Sequence, residues 1–238
     1  RRALARDDGH AELHFRLARA LERTGDAAGA QRHYREARDR DRLRFRADSR
    51  LNTVVRETAA HLAGAGVSLA DLESALAAAD PHGGGVPGEE LFHEHVHLTF
   101  AGNYEAARAL LPVVVEALPG RVRSSGRSRA PILSREACAH RLALTGWNRA
   151  LMLDQMAGMM GNYPFTAQLD HEITMARLAA RRKALGAVES ADSLAAAYER
   201  YAACLAARPD DLQMGFNFVK LLTRLERRED ARRYWQRI

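Results

Sequence analysis

A repeat of fixed period near the C-terminus is the feature that most constrains the fold of this 238-residue chain. Small, aromatic and apolar positions recur there at one separation of 34 residues: Ala197 with Ala231, Tyr201 with Trp235, and Cys204 with Ile238. A repeat of this length holds two short helices, and neither helix can bury its apolar face alone. We therefore expect this region to stack helical hairpins.

The N-terminal segment carries a similar pattern. Apolar residues of the first predicted helix fall on one face: Leu13, Leu17, Ala20 and Leu21. Thr24-Gly25-Asp26 predicts a turn, and the second helix turns Tyr34 and Ala37 inward. Small Ala18 and Ala30 allow the two helices to approach closely, with the aromatic ring between them. Both ends of the chain resemble tetratricopeptide repeats, which implies a concave surface for a protein or peptide partner.

The middle of the chain departs from the repeat pattern. Residues 46–63 predict an amphipathic helix with these side chains inward: Leu51, Val54, Val55, Thr58, Ala59 and Leu62. Residues 67–72 have the length and apolarity of a strand. A further helix is predicted over 103–118, where Pro112 should introduce a kink or a break. This succession predicts part of an α/β domain.

A histidine-rich segment, FHEHVH over residues 92–97, follows a glycine-rich loop. If the segment were a strand, His93, His95 and His97 would line one face, and three imidazoles can bind zinc. Metal ligands usually come from more than one element, however, and no distant set of His, Asp or Glu stands out. We therefore predict no metal ion and no cofactor, and assign no role to His93 or His95.

Glu94 and His97 are the candidate catalytic residues. They are three positions apart, so a turn or the start of a helix places both side chains on one face. The carboxylate can then accept the Nδ1 proton of the imidazole and fix its tautomer. This leaves Nε2 to take a proton from a serine hydroxyl. The alternative is a loop histidine at a helix start that only hydrogen-bonds to backbone.

The same segment resembles a known family. The run Glu94-His95-Val96-His97-Leu98-Thr99-Phe100-Ala101-Gly102-Asn103, followed by an alanine-rich helix, is similar to the last block of the SGNH (GDSL-type) hydrolases. The helix containing Leu51 and the segment Gly66–Asp71 are similar to the α/β unit that precedes that block. The resemblance covers roughly residues 43–119, and points to bacterial proteins that combine an SGNH-like domain with tetratricopeptide repeats.

The resemblance implies a serine esterase that hydrolyses small acyl esters. His97 would be the general base, Glu94 its orienting acid, and Gly102 the position that lets the last helix approach the loop. The family's Gly-Asp-Ser nucleophile block is not in this chain. We therefore expect a fragment whose serine lies upstream of Arg1, and which is inactive alone.

Composition restricts the other classes of function. The net charge of +6 comes almost entirely from arginines interleaved with acids, without a basic stripe of stacking aromatics, so no nucleic-acid partner is expected. No apolar stretch approaches the length of a membrane span. Cys138 and Cys204 show no metal spacing and require no disulfide, which favours a reducing compartment. The sequence leaves open whether a signal peptide or a membrane anchor lies upstream.

These observations predict a mainly α chain, with tetratricopeptide-type helical hairpins at both ends and a partial α/β, SGNH-like segment between them. The predicted divisions are a first repeat over 1–42, the hydrolase-like segment over 43–120, a linker over 121–133, a helical bridge over 134–186, and further repeats over 187–238. The alternative function is a non-catalytic tetratricopeptide scaffold that binds a protein or peptide.

Overall fold

The computed structural model describes residues 2–43, 46–123 and 131–236, and within them the chain is helical with almost no strand. The prediction of a mainly α fold is confirmed. The chain divides into two compact units, Arg1–Ile132 and Leu133–Ile238, called here the N-terminal and C-terminal units. None of the described helices has the length and apolarity needed to cross a bilayer.

The described part of the N-terminal unit contains these helices: α1 (Ala11–Arg23), α2 (Ala27–Asp39), α3 (Ser49–His61), α4 (Leu72–Ala78), α5 (Phe100–Ala117) and α6 (Gly120–Arg123). α1 and α2 pack against each other across a short turn, because the small side chains of Ala18 and Ala30 are almost fully buried between them. The ring of Tyr34 lies edge-on to Phe15, with centroids 5.6 Å apart. The packing of small residues beside an aromatic therefore follows the sequence pattern.

Charged hydrogen bonds connect α2, α3 and α4. Arg38 of α2 donates to Glu73 of α4 at 2.5 Å and to the hydroxyl of Ser49 at 2.6 Å. Arg56 of α3 donates to Asp71 at 2.8 Å and to Glu73 at 2.6 Å. Polar side chains on one side of α3 therefore attach this helix to α2 and α4.

The face of α3 that the sequence predicted to lie inward is exposed instead. α3 has no buried residue, and Leu51, Val54 and Val55 are 51%, 48% and 53% exposed. Thr58 and Leu62 are exposed as well, so of the predicted set Ala59 alone is partly buried. The partly buried side of α3 is Ser49, Asn52, Arg56 and Ala59. Periodicity finds an apolar stripe but does not show what lies next to it, and here the ion pairs of Arg56 orient the helix.

One further prediction for this region is wrong, and a second is wrong in part. The strand over 67–72 does not form, since residues 67–71 have no regular structure and Leu72 begins α4. A strand requires a neighbouring strand, and the described residues contain only an isolated bridge elsewhere. The sequence predicted a kink or a break at Pro112, and the break does not occur, since α5 continues through Pro112 to Ala117.

The described part of the C-terminal unit contains α7 (Arg135–Arg141), α8 (Gly146–Met160), α9 (His171–Ala184), α10 (Ala191–Ala207), α11 (Leu212–Arg224) and α12 (Arg228–Trp235). α8, α10, α11 and α12 bury one core that includes Trp147, Tyr201, Phe218 and Leu221, and α8 and α9 bury a smaller cluster of Leu153, Met160 and Leu178. The repeat positions Ala197, Tyr201, Cys204 and Ala231 all lie in that core, whereas Trp235 is 58% exposed. Ile238 and residues 124–130 of the predicted linker lie outside the described residues.

Candidate active site

The histidine-rich segment forms a closed loop between two backbone anchors. Leu91 is buried, and its carbonyl accepts the backbone N–H of Thr99 at 2.9 Å. Phe92 and Leu98 form a single antiparallel bridge, and the N–H of His93 donates to the carbonyl of His97 at 2.8 Å. The loop therefore turns back on itself, and its tip holds the candidate residues.

Thr99 and Gly102 fix this loop to the start of α5. The Thr99 hydroxyl donates to the Glu90 carbonyl at 2.6 Å and accepts the N–H of Gly102 at 3.1 Å, which caps the helix. A Cβ atom at Gly102 would lie 2.1 Å from the Leu91 carbonyl oxygen, so only glycine fits there. The close approach of helix and loop at Gly102, which the family resemblance implied, is present.

The carboxylate of Glu94 is the centre of the loop. Its side chain is only 2% exposed. One oxygen, Oε2, accepts the backbone N–H of His95 at 2.7 Å, and the other, Oε1, accepts that of His97 at 2.5 Å. The N–H of Val96 lies 3.2 Å from both oxygens. Three consecutive amides therefore surround a carboxylate that water barely reaches.

Two imidazoles complete the shell of the same carboxylate. Nδ1 of His97 lies 2.5 Å from Oε1 of Glu94, and Nδ1 of His95 lies 2.6 Å from Oε2. The side chain of His97 is 52% exposed, whereas that of His95 is 19% exposed. Within the described ranges, Nε2 of His97 makes no hydrogen bond. Glu94 thus holds the Nδ1 atom of each ring, and the second nitrogen of His97 is left without a hydrogen bond among the described residues.

The electrostatics of the cluster favour a charged acid beside a neutral His95. Burial opposes the ionisation of Glu94, but hydrogen bonds from the backbone and ring of His97 outweigh it and hold the pKa of Glu94 below its ordinary value. Burial also lowers the pKa of the His95 imidazole, and the charge of Arg46 acts in the same direction against the attraction of Glu94. Near neutral pH, Glu94 is an anion that accepts Nδ1–H from both rings.

The structure brings Glu94 and His97 together and adds His95, to which the sequence assigned no role. His95 contacts Glu94, its neighbour in sequence, because the loop wraps around the carboxylate. No periodic sequence pattern predicts such a contact. Residues 93–96 bend, so the strand that would align three imidazoles is not formed. In the part of the chain that the structure describes, no three His, Cys, Asp or Glu side chains are grouped to hold a metal ion.

The C-terminal unit contains an open groove between α10, α11 and α12, with a volume of about 400 Å³. Aromatic rings and arginines line it: Tyr198, Phe218, Tyr234, Arg227 and Arg233. The guanidinium of Arg227 lies 4.4 Å from the ring centroid of Tyr198 and pairs with Asp230. The groove is therefore lined by both apolar and charged side chains, including the acidic Asp230.

In comparisons with known proteins, no family model matches the chain, and neither a curated protein nor a solved structure is significantly similar to it.

Proposed function

We propose that this chain carries the acid and base of a serine-dependent, SGNH-like ester hydrolase, joined to tetratricopeptide-type repeats that bind a protein or peptide. The observation that carries the proposal is the contact of His97 Nδ1 with a Glu94 carboxylate that is 2% exposed. A structural loop histidine needs no such arrangement, since one backbone hydrogen bond would satisfy it. The proposed substrates are small acyl esters, and no metal or cofactor is needed for this chemistry.

Each contact of the pair has a role in the proposed reaction. The Nδ1–H bond to Glu94 leaves the lone pair of His97 on Nε2, which points away from the carboxylate. Nε2 can then accept the serine proton as the hydroxyl oxygen attacks the ester carbonyl. The imidazolium that forms is stabilised by the buried anion, and it returns the proton to the leaving alkoxide. Water repeats the sequence to release the acid.

The serine is proposed to come from a part of the natural protein outside these 238 residues. The chain lacks a Gly-Asp-Ser block, and in the described ranges no serine contacts His97. Half exposure of the His97 ring leaves space for an approaching group. By this proposal the chain alone supplies a base without a nucleophile.

The test is to label the natural full-length protein with a fluorophosphonate and to locate the modified serine by mass spectrometry. We expect one labelled serine outside the present sequence, with labelling lost in His97→Ala and unchanged in His61→Ala. His61 is an exposed histidine of α3 and controls for loss of a surface imidazole. Full labelling of the His97→Ala protein would contradict the role of His97 as the base.

A second candidate function is a non-catalytic scaffold, and the groove of the C-terminal unit favours it. A lining that contains aromatic rings and Arg233 suits a peptide that offers an apolar side chain beside a carboxylate. A full-length protein that binds such a peptide but resists fluorophosphonate would favour the scaffold. Labelling that depends on His97 would favour the hydrolase.

A further inference from the structure

Two histidines face each other across the helical hairpin of the N-terminal unit. His14 lies on α1 and His33 on α2, and their Nδ1 atoms are 3.0 Å apart. The ring centroids are 5.2 Å apart, and the ring planes are inclined at 38°. His14 is only 6% exposed, whereas His33 is half-buried. A polar pair inside such a close helix contact requires a physical account.

The second ring nitrogen of His14 is held by the backbone. Nε2 of His14 lies 2.8 Å from the carbonyl oxygen of Asp8. A carbonyl can only accept a hydrogen bond, so Nε2 carries the proton, and the neutral His14 ring has its lone pair on Nδ1. The same carbonyl accepts the Nε–H of Arg40 at 2.7 Å, which attaches it to the end of α2. The lone pair of His14 is therefore directed at Nδ1 of His33.

The packing of the hairpin fixes both rings. Ala18 follows His14 by one helical turn, and Ala37 follows His33 by one turn. These alanines and Ala30 are buried where the two helices meet. Side chains on packed helices are held more precisely than side chains on loops. The two imidazoles therefore form a preorganised pair of nitrogen atoms.

The separation of these nitrogens matches two adjacent ligands of one metal ion. An imidazole nitrogen lies about 2.0–2.1 Å from a zinc ion, and two ligands at that distance and at a right angle are about 3.0 Å apart. The two Nδ1 atoms have this separation. Right angles between ligands are typical of the tetragonal sites that Ni(II) and Cu(II) prefer. The pair thus has the geometry of one edge of such a site.

We propose that His14 and His33 bind one divalent transition-metal ion of this tetragonal class, Ni(II) or Cu(II), through their Nδ1 atoms. The protein supplies two adjacent ligands, and water supplies the others on the half-buried side of His33. The hydrogen bond from His14 to the Asp8 carbonyl is the kind of outer contact that fixes the tautomer of a metal-binding histidine. The bound ion would cross-link α1 and α2. The site is independent of the proposed ester hydrolysis.

The local charge permits a cation at this position. Arg40 is the cation attached to the Asp8 carbonyl, and Glu36 of α2 forms an ion pair with it. Glu36 also follows His33 by three residues, so the two side chains share one side of α2. The carboxylate of Glu36 therefore offsets the charge of Arg40 close to the imidazole pair.

A hydrogen bond between the two rings describes the same pair without metal. In that form, His33 donates its Nδ1–H to the lone pair of His14. Metal binding requires the proton of His33 on Nε2 instead, and this change of tautomer leaves the net charge of the pair unchanged. Both rings would then offer a neutral imidazole nitrogen, which is a ligand that Ni(II) and Cu(II) bind. Sequence spacing does not predict the pair, because 19 residues separate the two histidines.

Isothermal titration calorimetry of the 238-residue chain with NiCl₂ tests the site without any substrate. We expect one Ni(II) bound per chain, and both His33→Gln and His14→Gln should weaken binding at least about tenfold. His10→Gln is the matched control, because His10 precedes α1, is exposed, and makes no capping hydrogen bond with its side chain. Binding should be unchanged in this control. Far-UV circular dichroism checks that each variant keeps its helices.

Paramagnetic NMR of the wild-type chain locates the ion without relying on any variant. As NiCl₂ is added, resonances of His14, His33 and their neighbours on α1 and α2 should shift or broaden before those of other residues. If the resonances of His14 and His33 did not change, the inference would be overturned.

The variants separate this site from other histidines. Weaker binding in His33→Gln, with unchanged binding in His10→Gln, would support the inference. Loss of binding in His10→Gln would assign the nickel to an exposed pair on one helix, and loss in His97→Ala alone would assign it to the loop of Glu94. Either result would overturn the site between the helices. Fluorophosphonate labelling is unaffected by these outcomes, so the hydrolase is tested separately.

Discussion

The two units of this protein are held together by different means. The C-terminal unit buries a continuous core of large side chains, among them Trp147, Tyr201 and Phe218. The buried apolar residues of the described N-terminal unit are fewer, and they are leucines and alanines. That unit instead contains most of the buried polar side chains of the described residues: His14, Asp48, Asp80 and Thr99, against Asn148 in the C-terminal unit.

The C-terminal unit therefore has the larger apolar core, although it also exposes large hydrophobic side chains such as Tyr163, Leu169 and Trp235. Every long helix of the C-terminal unit contributes a buried residue, whereas α3 in the N-terminal unit contributes none. Hydrogen bonds and ion pairs keep α3 and the Glu94 loop in place. The N-terminal unit therefore positions polar groups well while leaving aliphatic surface available.

The largest effect should come from truncating the apolar core. Leu221 is fully buried, so Leu221→Ala should lower the free energy of unfolding of the C-terminal unit by about 2–5 kcal/mol. Leu51→Ala, the matched change on the exposed stripe, should cost at most about 0.5 kcal/mol in the 238-residue chain.

Urea unfolding measures both changes. Tryptophan fluorescence reports the C-terminal unit, because Trp147 and Trp235 are the two tryptophans of the chain. Far-UV circular dichroism reports the helices of both units. An equal loss of unfolding free energy in Leu51→Ala and Leu221→Ala would contradict the contrast between the two units. It would mean that the Leu51 side of α3 is packed against another element.

The Glu94 carboxylate should be the strongest polar contribution in the N-terminal unit. Glu94→Gln removes the anion from three amides and two imidazoles, and should cost about 1.5–3 kcal/mol at pH 7. The pKa of Glu94 is lowered by folding, so this stabilisation is present above the unfolded pKa of about 4.3 and is lost as pH falls through the folded pKa.

Urea unfolding of both proteins from pH 7 to pH 3 checks this prediction. The difference between wild type and Glu94→Gln should be largest at pH 7 and should shrink below about pH 4. A difference that does not change with pH would mean that charge is not what stabilises the loop.

Gly102→Ala should cost about 1–3 kcal/mol, because the added Cβ meets the Leu91 carbonyl and the loop or the helix must move. Gly64→Ala is the matched control, since a Cβ there contacts nothing within 4 Å. Thermal unfolding gives the stabilities, and the ring resonances of His97 in NMR spectra report displacement of the loop. Unshifted resonances in Gly102→Ala would show that the loop tolerates the methyl group.

The smallest effect is expected at the ion pairs of α3. Arg56→Met should lower the free energy of unfolding less than the changes above, because the Arg56 side chain is partly exposed and solvent screens its pairs. The cost should fall further in 0.5 M salt, as measured by urea unfolding at two salt concentrations. A salt-independent loss would indicate that packing of the arginine stem, rather than its charge, holds α3.

Part of the candidate site was predictable because its determinants are local. Glu94 and His97 are three residues apart, and a turn is enough to bring a carboxylate to an imidazole at that spacing. The close approach at Gly102 was implied by the family resemblance and not by spacing. The contact of His95 with the same carboxylate was missed, because it depends on how the loop wraps and not on spacing.

The sequence alone determined the helical character of the chain, the repeat positions that enter the C-terminal core, and the Glu94–His97 pair, because periodicity and short-range spacing act within one element or one turn. Tertiary structure alone decided which side of α3 faces inward, and that residues 67–71 have no strand to pair with here. An apolar stripe shows only that a surface can be buried, and a strand forms only beside another strand. Both outcomes depend on neighbours that are distant in sequence.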